Sequence, residues 1–401
     1  MTSMEGGVTK PVGFKASGVH AGLKNNPENL DCALVMSEQI CTVAGTFTKN
    51  VMKAAPVLWN MNVCERGKSW GVFINSGNAN AATGKKGLSD VKDMAGFVAS
   101  CGPIYPNDIC ICSTGVIGVL LPMDKIENGI DDCIDRLSEP GHSYAAKAIM
   151  TTDTVPKERA IDYEIGGRAV TLGGMAKGSG MISPNMATMI SVITTDADIP
   201  HELLKPLTKE IVEISFNQIG VDNDMSTSDT VLVFANGMSG TPEIQADSPE
   251  YEKFKEALTT ICQELAKDIV KDGEGATKFV EISVTGAETD EDAKTITRAI
   301  GNSMLCKTAF FGQDPNWGRF ACAAGYSGIQ FNPEELSVAL DSIVLYQNGQ
   351  VAQYKEEDAA AIMLQPEFTT HISVGKGSGQ AVFWTSDLSH DYVSINADYR
   401  S

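Results

Sequence analysis

Strands and helices alternate along this chain without a regular strand–helix–strand beat, and that irregularity is what most restricts its fold. Runs rich in apolar and β-branched residues read as strands at 69–75, 189–194, 229–235, 279–285, 338–346 and 391–396. Helical spacing is clearest at 250–271, where Phe254, Leu258, Ile261, Leu265 and Ile269 share one face and Gly273 stops the run. A second helix is expected at 89–100 with Ser89 or Asp90 as cap. A third is expected at 289–300 with an acidic first turn, Asp290 to Asp292. Such an order favours an α+β layered sandwich over a doubly wound parallel sheet. With 401 residues, 43% of them hydrophobic, the chain can bury a sizeable core.

Charge narrows the function classes. The chain holds 31 Lys+Arg against 51 Asp+Glu, a net charge of −20, and nearly all of the excess acid lies after residue 187. That field disfavours nucleic acid and anionic membrane as partners. No apolar run reaches the ~18 residues of a membrane span, and residues 1–14 show no signal core. The expected location is the cytoplasm, with an organelle leader removed upstream left open. Ten Cys are scattered from Cys32 to Cys322 without zinc spacing, and the five His are isolated, so no metal site is expected. His390 is the one histidine near a C-terminal motif.

The middle of the chain is unusual. A glycine-rich stretch at 173–181 contains Lys177 and runs through residues 184–187 into a β-branched apolar strand, with Thr188 at the junction. It lacks the phosphate-loop order G-x-x-x-x-G-K-[ST], as does the segment around Lys376. A threonine that opens a strand is ordinarily there for β-propensity. Chemistry permits another role. If the Ala187–Thr188 bond opens, Thr188 gains a free α-amine of reference pKa ~7.7–8.0. Base and hydroxyl nucleophile then belong to one residue.

These residues resemble the ArgJ-type glutamate N-acetyltransferases, also called ornithine acetyltransferases. The segment GMAKGSGMISPNMATM (174–189) is similar to their processing segment. Eight further segments agree in order: FT (47–48) with AAPV (54–57), NSGNANA (75–81), STGVIG (113–118), TTDT (151–154), DGEGATK (272–278), KTA (307–309), DPNWGR (314–319) and INADYRS (395–401). Each is modest alone; together they span nearly the whole chain. Ser401 stands where Thr is usual, retaining the hydroxyl, and Ile190 replaces a common Leu.

The resemblance implies a layered α/β/β/α sandwich with accessory lobes. It implies self-cleavage between Ala187 and Thr188 into an α chain, 1–187, and a β chain, 188–401, that share one folded unit and assemble as α2β2. Thr188 is then the nucleophile. Thr114 and Gly115 stabilise the oxyanion, and Thr151, Lys177, Thr188, Glu274, Asn396 and Ser401 contact substrate. The implied reaction moves the acetyl group from N-acetyl-L-ornithine to L-glutamate through acetyl-Thr188, in arginine biosynthesis. No cofactor is implied, although acetyl-CoA is a candidate second donor. The alternative is an N-terminal-nucleophile amidohydrolase or aminopeptidase of the same fold, which passes the acyl group to water. The DPNWGR segment reads as a turn with a packed Trp317 and an Arg319–carboxylate pair.

Overall fold

The computed structural model describes residues 2–4, 6–183 and 189–398. Ala187, Thr188 and Ser401 therefore lie outside the described residues. The architecture turns on one long strand, Cys32–Phe47. Its first half pairs with Phe14–Val19 on one side and Lys68–Asn78 on the other. The register shifts between Met36 and Cys41, and the second half then pairs with Thr230–Ala235. The strand thus belongs to both halves of a nine-stranded mixed sheet.

Side-chain alternation shows that the two halves face each other. Ala33, Val35, Val72, Ile74 and Cys110 from one half share a core with Met175, Ile190, Val192, Leu232 and Phe234 from the other. Leu34, Phe73 and Ile111 point the opposite way, onto the helices Gly84–Ala99 and Met123–Asp135. Leu172, Ile193 and Val233 likewise point outward, onto His201–Glu213 and Pro249–Lys271. Helix, sheet, sheet and helix follow in order, and the α+β sandwich expected from sequence is present.

A seven-stranded sheet forms an accessory lobe with its own core, packed by Asp290–Gly301, Met304–Phe311, Trp317–Gly325 and Glu356–Leu364. It joins the sandwich through its edge: Ile219–Gly220 pairs with Gly379–Ser386, and Ile219 and Trp384 sit in the sandwich core.

Helix Pro249–Lys271 buries all five residues of its apolar face, and the Ser248 hydroxyl caps it by accepting from the Tyr251 N–H. Three expectations need correction. The helix expected at 89–100 begins at Gly84, so Ser89 and Asp90 lie inside it, and Asp90 pairs with Lys86 one turn earlier. The strand expected at 338–346 is two, Ser337–Leu340 and Ile343–Gln347, broken at Asp341 with φ +44°. The segment expected as a strand at 391–396 lies in a helix, His390–Asp398. The Ser389 hydroxyl accepts from the Asp391 N–H at its start, and an acidic residue in the first turn suits the helix dipole.

Leu265→Ala should lower stability by about 2–5 kcal/mol, because it empties a site between the long helix and the sheet. Urea unfolding measures this, with an unchanged circular dichroism spectrum confirming that the fold persists.

Candidate active site

Two parallel strands, Lys68–Asn78 and Ile109–Val116, end side by side with Gly77 opposite Gly115. Gly115 has φ +125°, and a Cβ there would lie 2.4 Å from the Gly77 carbonyl carbon. Only glycine fits, which leaves the backbone bare for close approach. The strand ends are tied by the Ser113 hydroxyl donating to Asn75 Oδ1 at 2.6 Å, and by Asn75 Nδ2 donating to the Asn78 carbonyl at 2.9 Å. Thr114, buried beside Gly115, lines the same cavity as Gly115, Thr151, Lys177, Glu274 and Asn396. All six described residues to which the resemblance gives a role therefore converge on one cavity, although 282 positions separate Thr114 from Asn396 in the chain.

Lys177 ends the strand Arg168–Lys177 and is almost fully buried. Its ammonium donates to Thr151 Oγ1 at 2.8 Å and lies 3.7 Å from Asp153 Oδ2. Burial pushes its pKa down, and the Asp153 carboxylate partly opposes that. Asp153 is buried too, which alone would raise its pKa. The ammoniums of Lys177 and Lys157 outweigh burial and hold the carboxyl below its usual range. Lys157 continues the chain of charges, 2.7 Å from Asp153 Oδ1 and 2.6 Å from Asp272 Oδ2. Two ammoniums and two carboxylates thus alternate inside the protein, with Asp153 also accepting from the Thr151 and Gly178 N–H groups.

Asp272 carries the chain to Glu274. Its carboxylate accepts from the Thr154 N–H at 3.0 Å, and its carbonyl accepts from the Ser179 hydroxyl at 2.6 Å. The Glu274 N–H donates to the Ser179 carbonyl at 2.9 Å. The half-buried Glu274 carboxylate then accepts from Asn396 Nδ2 at 2.7 Å. A Cβ at Gly180 would fall 2.3 Å from the Glu274 carboxyl, so the glycine at 180 is room for that side chain.

The accessory lobe supports this loop. Asp387 accepts from the Thr277 and Lys278 N–H groups at 2.8 and 3.0 Å, and Ser389 donates to the Gly275 carbonyl at 2.6 Å. Lys307 is buried nearby, donating to Thr385 Oγ1 at 2.7 Å, and burial pushes its ammonium down to about 7. Trp317 stacks on Tyr346 at 4.5 Å, as packing predicts. Arg319 departs from expectation: its guanidinium donates to the Leu305 carbonyl and the Thr308 hydroxyl, with no carboxylate partner among the described residues. His390 packs edge-on against Phe311 and does not line the cavity. Among the described residues no cluster suits a metal ion.

Sequence reasoning missed four carriers of the site. Asp153 and Asp272 fall inside segments that carry the resemblance but had no role assigned, and Lys157 falls in none. Asp229, whose carboxyl accepts from the Met189 N–H at 3.3 Å, is the fourth. Asp153 and Lys157 pair at a separation of four, but the partners that tie them to Lys177 and Asp272, and Asp229 to Met189, are distant in sequence.

Asp153→Asn leaves two buried ammoniums without the carboxylate between them. The expected loss is about 3–5 kcal/mol in urea unfolding at neutral pH. Because the folded-state pKa of Asp153 is depressed, its contribution is present above the unfolded value of ~3.9 and fades as pH falls toward the folded value. The wild-type advantage should therefore shrink in acid.

A model of the ArgJ family matches residues 15–401. The arginine biosynthesis bifunctional protein ArgJ of Symbiobacterium thermophilum is 45% identical over 402 residues, covering 100% of both chains. The chloroplastic protein of that name from Oryza sativa subsp. indica is 46% identical over 406 residues, covering 99% of this chain and 88% of its own. Among solved structures, the arginine biosynthesis bifunctional protein argJ of Bacillus halodurans has a TM-score of 0.50 at 40% identity, covering 51% of this chain and 97% of that one. With a cavity that gathers the residues its motifs single out, and with relatives matched end to end, the chain belongs to the ArgJ family.

Proposed function

We propose that this enzyme of arginine biosynthesis cuts itself before Thr188 and then moves an acetyl group from N-acetyl-L-ornithine to L-glutamate. The observation that carries the reading is the convergence of Thr114, Gly115, Thr151, Lys177, Glu274 and Asn396 on one cavity. The Thr188 hydroxyl attacks the acetyl carbonyl, its proton passing to the α-amine freed by the cut. Negative charge develops on the carbonyl oxygen, where the Gly115 N–H and the Thr114 hydroxyl stabilise it. Ornithine leaves, acetyl-Thr188 remains, and the glutamate amine takes the acetyl group in a second displacement, which gives ping-pong kinetics. Lys177 pairs with the α-carboxylate that both substrates carry, and Thr151 orients its ammonium. Glu274, held by Asn396, receives the side-chain ammonium of ornithine. Ser401 adds a hydroxyl. The reaction needs no cofactor, and acetyl-CoA enters only as an alternative donor.

The fold supports a cut that leaves the enzyme whole. Strand Ile190–Thr195, just after the cut, lies between Arg168–Lys177 from before it and Thr230–Ala235 from after it. Thr230–Ala235 in turn pairs with Cys32–Phe47, so the two pieces interleave across one sheet. The solved Bacillus halodurans chain, 97% of it matched by 51% of this one, is about half as long as this chain, the size of one such piece. On this reading the pieces stay paired and assemble as α2β2. None of the described helices is long and apolar enough to cross a membrane. A cytoplasmic site suits this reading, while the rice relative is named chloroplastic.

Denaturing electrophoresis should show two pieces, the larger starting Thr-Met-Ile-Ser on N-terminal sequencing. Thr188→Ala should remain one chain and transfer nothing. With N-acetylornithine and glutamate the product should be N-acetylglutamate; free acetate instead would mark a hydrolase. Repeating the assay with acetyl-CoA shows whether it also donates.

Gly180→Ala should displace the Glu274 carboxyl with little effect on melting, since the backbone at 180 suits alanine. The expected consequence is a rise of about tenfold in KM for N-acetylornithine, the loss of one charge-assisted contact. Steady-state kinetics with each substrate varied in turn measure it.

A further inference from the structure

The cavity has two unlike ends. Lys177, Glu274 and Asn396 give one end charge and hydrogen bonds. Beside Thr114 and Gly115 the lining changes character, because Ala79 and Ile117 face the same space. The third apolar residue of the lining, Met181, follows Gly180, the glycine that makes room for Glu274, and so belongs with the charged end.

Ala79 and Ile117 are part of a larger wall. Ala79 is buried in a small cluster with Ala54, Val57 and Ala81, and Phe47 and Ile117 pack against it. The backbone around the cluster is fixed. The Ala79 N–H donates to the Val116 carbonyl at 2.9 Å and the Gly118 N–H to the Ala81 carbonyl at 2.9 Å, so the turn after one strand is laced to the turn after its neighbour. The Ala55 N–H donates to the Asn80 carbonyl at 3.2 Å, which ties that turn to the start of the helix Ala55–Arg66. A close-packed wall on a fixed backbone yields little to a larger guest.

Bond lengths bring the transferred group to this wall. A carbonyl oxygen that accepts from the Gly115 N–H lies about 2.9 Å from that nitrogen. The next carbon of the acyl chain is about 2.4 Å from the same oxygen, so it stays within roughly 5.3 Å of the Gly115 nitrogen. Gly115 stands opposite Gly77 in the ladder. Ile117 follows Gly115 by two residues, and Ala79 follows Gly77 by two. The apolar corner therefore adjoins the residues that stabilise the oxyanion.

We propose that Ala79 and Ile117 form the acyl pocket of this site and limit the transferred group to two carbons. The proposal rests on the transfer reading above and names the residues that select its acyl group. A longer group would undergo the same exchange. The amide of N-propionyl-L-ornithine breaks, that of N-propionyl-L-glutamate forms, ornithine leaves, and no further reagent is consumed. Bond chemistry thus treats the two donors alike, and the corner discriminates between them. One methylene too many in an apolar pocket changes kcat/KM by ~10–200-fold.

The test measures kcat/KM with N-acetyl-L-ornithine and with N-propionyl-L-ornithine as donor and L-glutamate as acceptor. It compares wild type, Ile117→Ala and Ala79→Gly, with thermal melting of each. Wild type should prefer the acetyl donor at least ~10-fold. Ile117→Ala, which shortens a half-buried side chain, should lose at least ~10-fold of that preference. Ala79→Gly should shift the preference in the same direction by less, and it reports on the pocket even where Ile117→Ala folds poorly. The ratio of donors within one variant is the readout, since a merely structural loss lowers both donors alike. A wild type that uses both donors equally overturns the assignment, as do folded variants that keep the wild-type ratio. A wild-type chain that makes no N-acetylglutamate from N-acetylornithine overturns the transfer reading itself, a failure visible without any variant.

Discussion

The site depends on the alternating buried chain Lys177, Asp153, Lys157 and Asp272. An ammonium as buried as Lys177 carries a large desolvation penalty, and an isolated one would give up its proton. Asp153 prevents this, but it is itself too buried to remain ionised without Lys157, which in turn faces Asp272. Each charge makes its neighbour tolerable. The terminal Asp272 is satisfied by the Thr154 N–H at the edge of the protein interior. A buried network of this kind is weak evidence for stability against an apolar alternative. Its function is geometric: it ties the strand that presents Lys177 to the loop that presents Glu274.

On the proposed reading, that linkage would also let one site take two substrates in turn. On the proposed assignment the group common to both, the α-carboxylate, would meet Lys177, which the network holds in place. The side chains differ, an ammonium in one and a carboxylate in the other. They would meet Glu274, which is half-buried and whose neighbour Asn396 lies on an exposed C-terminal helix. The rigid end would then bind what does not change, and the accessible end would meet what does. Local stability follows the same division: the strands beside Lys177 lie in the sandwich core, whereas no residue of helix His390–Asp398 is buried.

Much of this was legible in the chain and some was not, for identifiable reasons. The helix Pro249–Lys271 is visible because five apolar residues repeat at helical spacing and all five are buried. The convergence of Thr114, Lys177 and Asn396 was legible only through resemblance, since their meeting depends on sheet register across most of the chain. Asp229 carries no local signal: it is one acid before a strand, and its contact with the Met189 N–H arises where parallel pairing sets Thr230 beside Ile190. The C-terminal segment misled because Tyr392 to Ile395 alternates like a strand. With no partner strand at hand, a serine cap and an acidic first turn decided for helix. Register and capping, both long-range or single-residue effects, are what periodicity cannot see.

The layered fold constrains the chemistry further. Strand Ile190–Thr195 is buried at every position and hydrogen-bonded along both edges. Were the chain cut before it as proposed, the new end would stay anchored, because releasing it would break two ladders and expose six buried residues to water. On the proposed reading, the strand that opens at Ile190 is held by the sheet, and the bare backbone at Gly115 at the end of another strand would serve the reaction. The sandwich supplies position, and the few buried polar groups supply the chemistry.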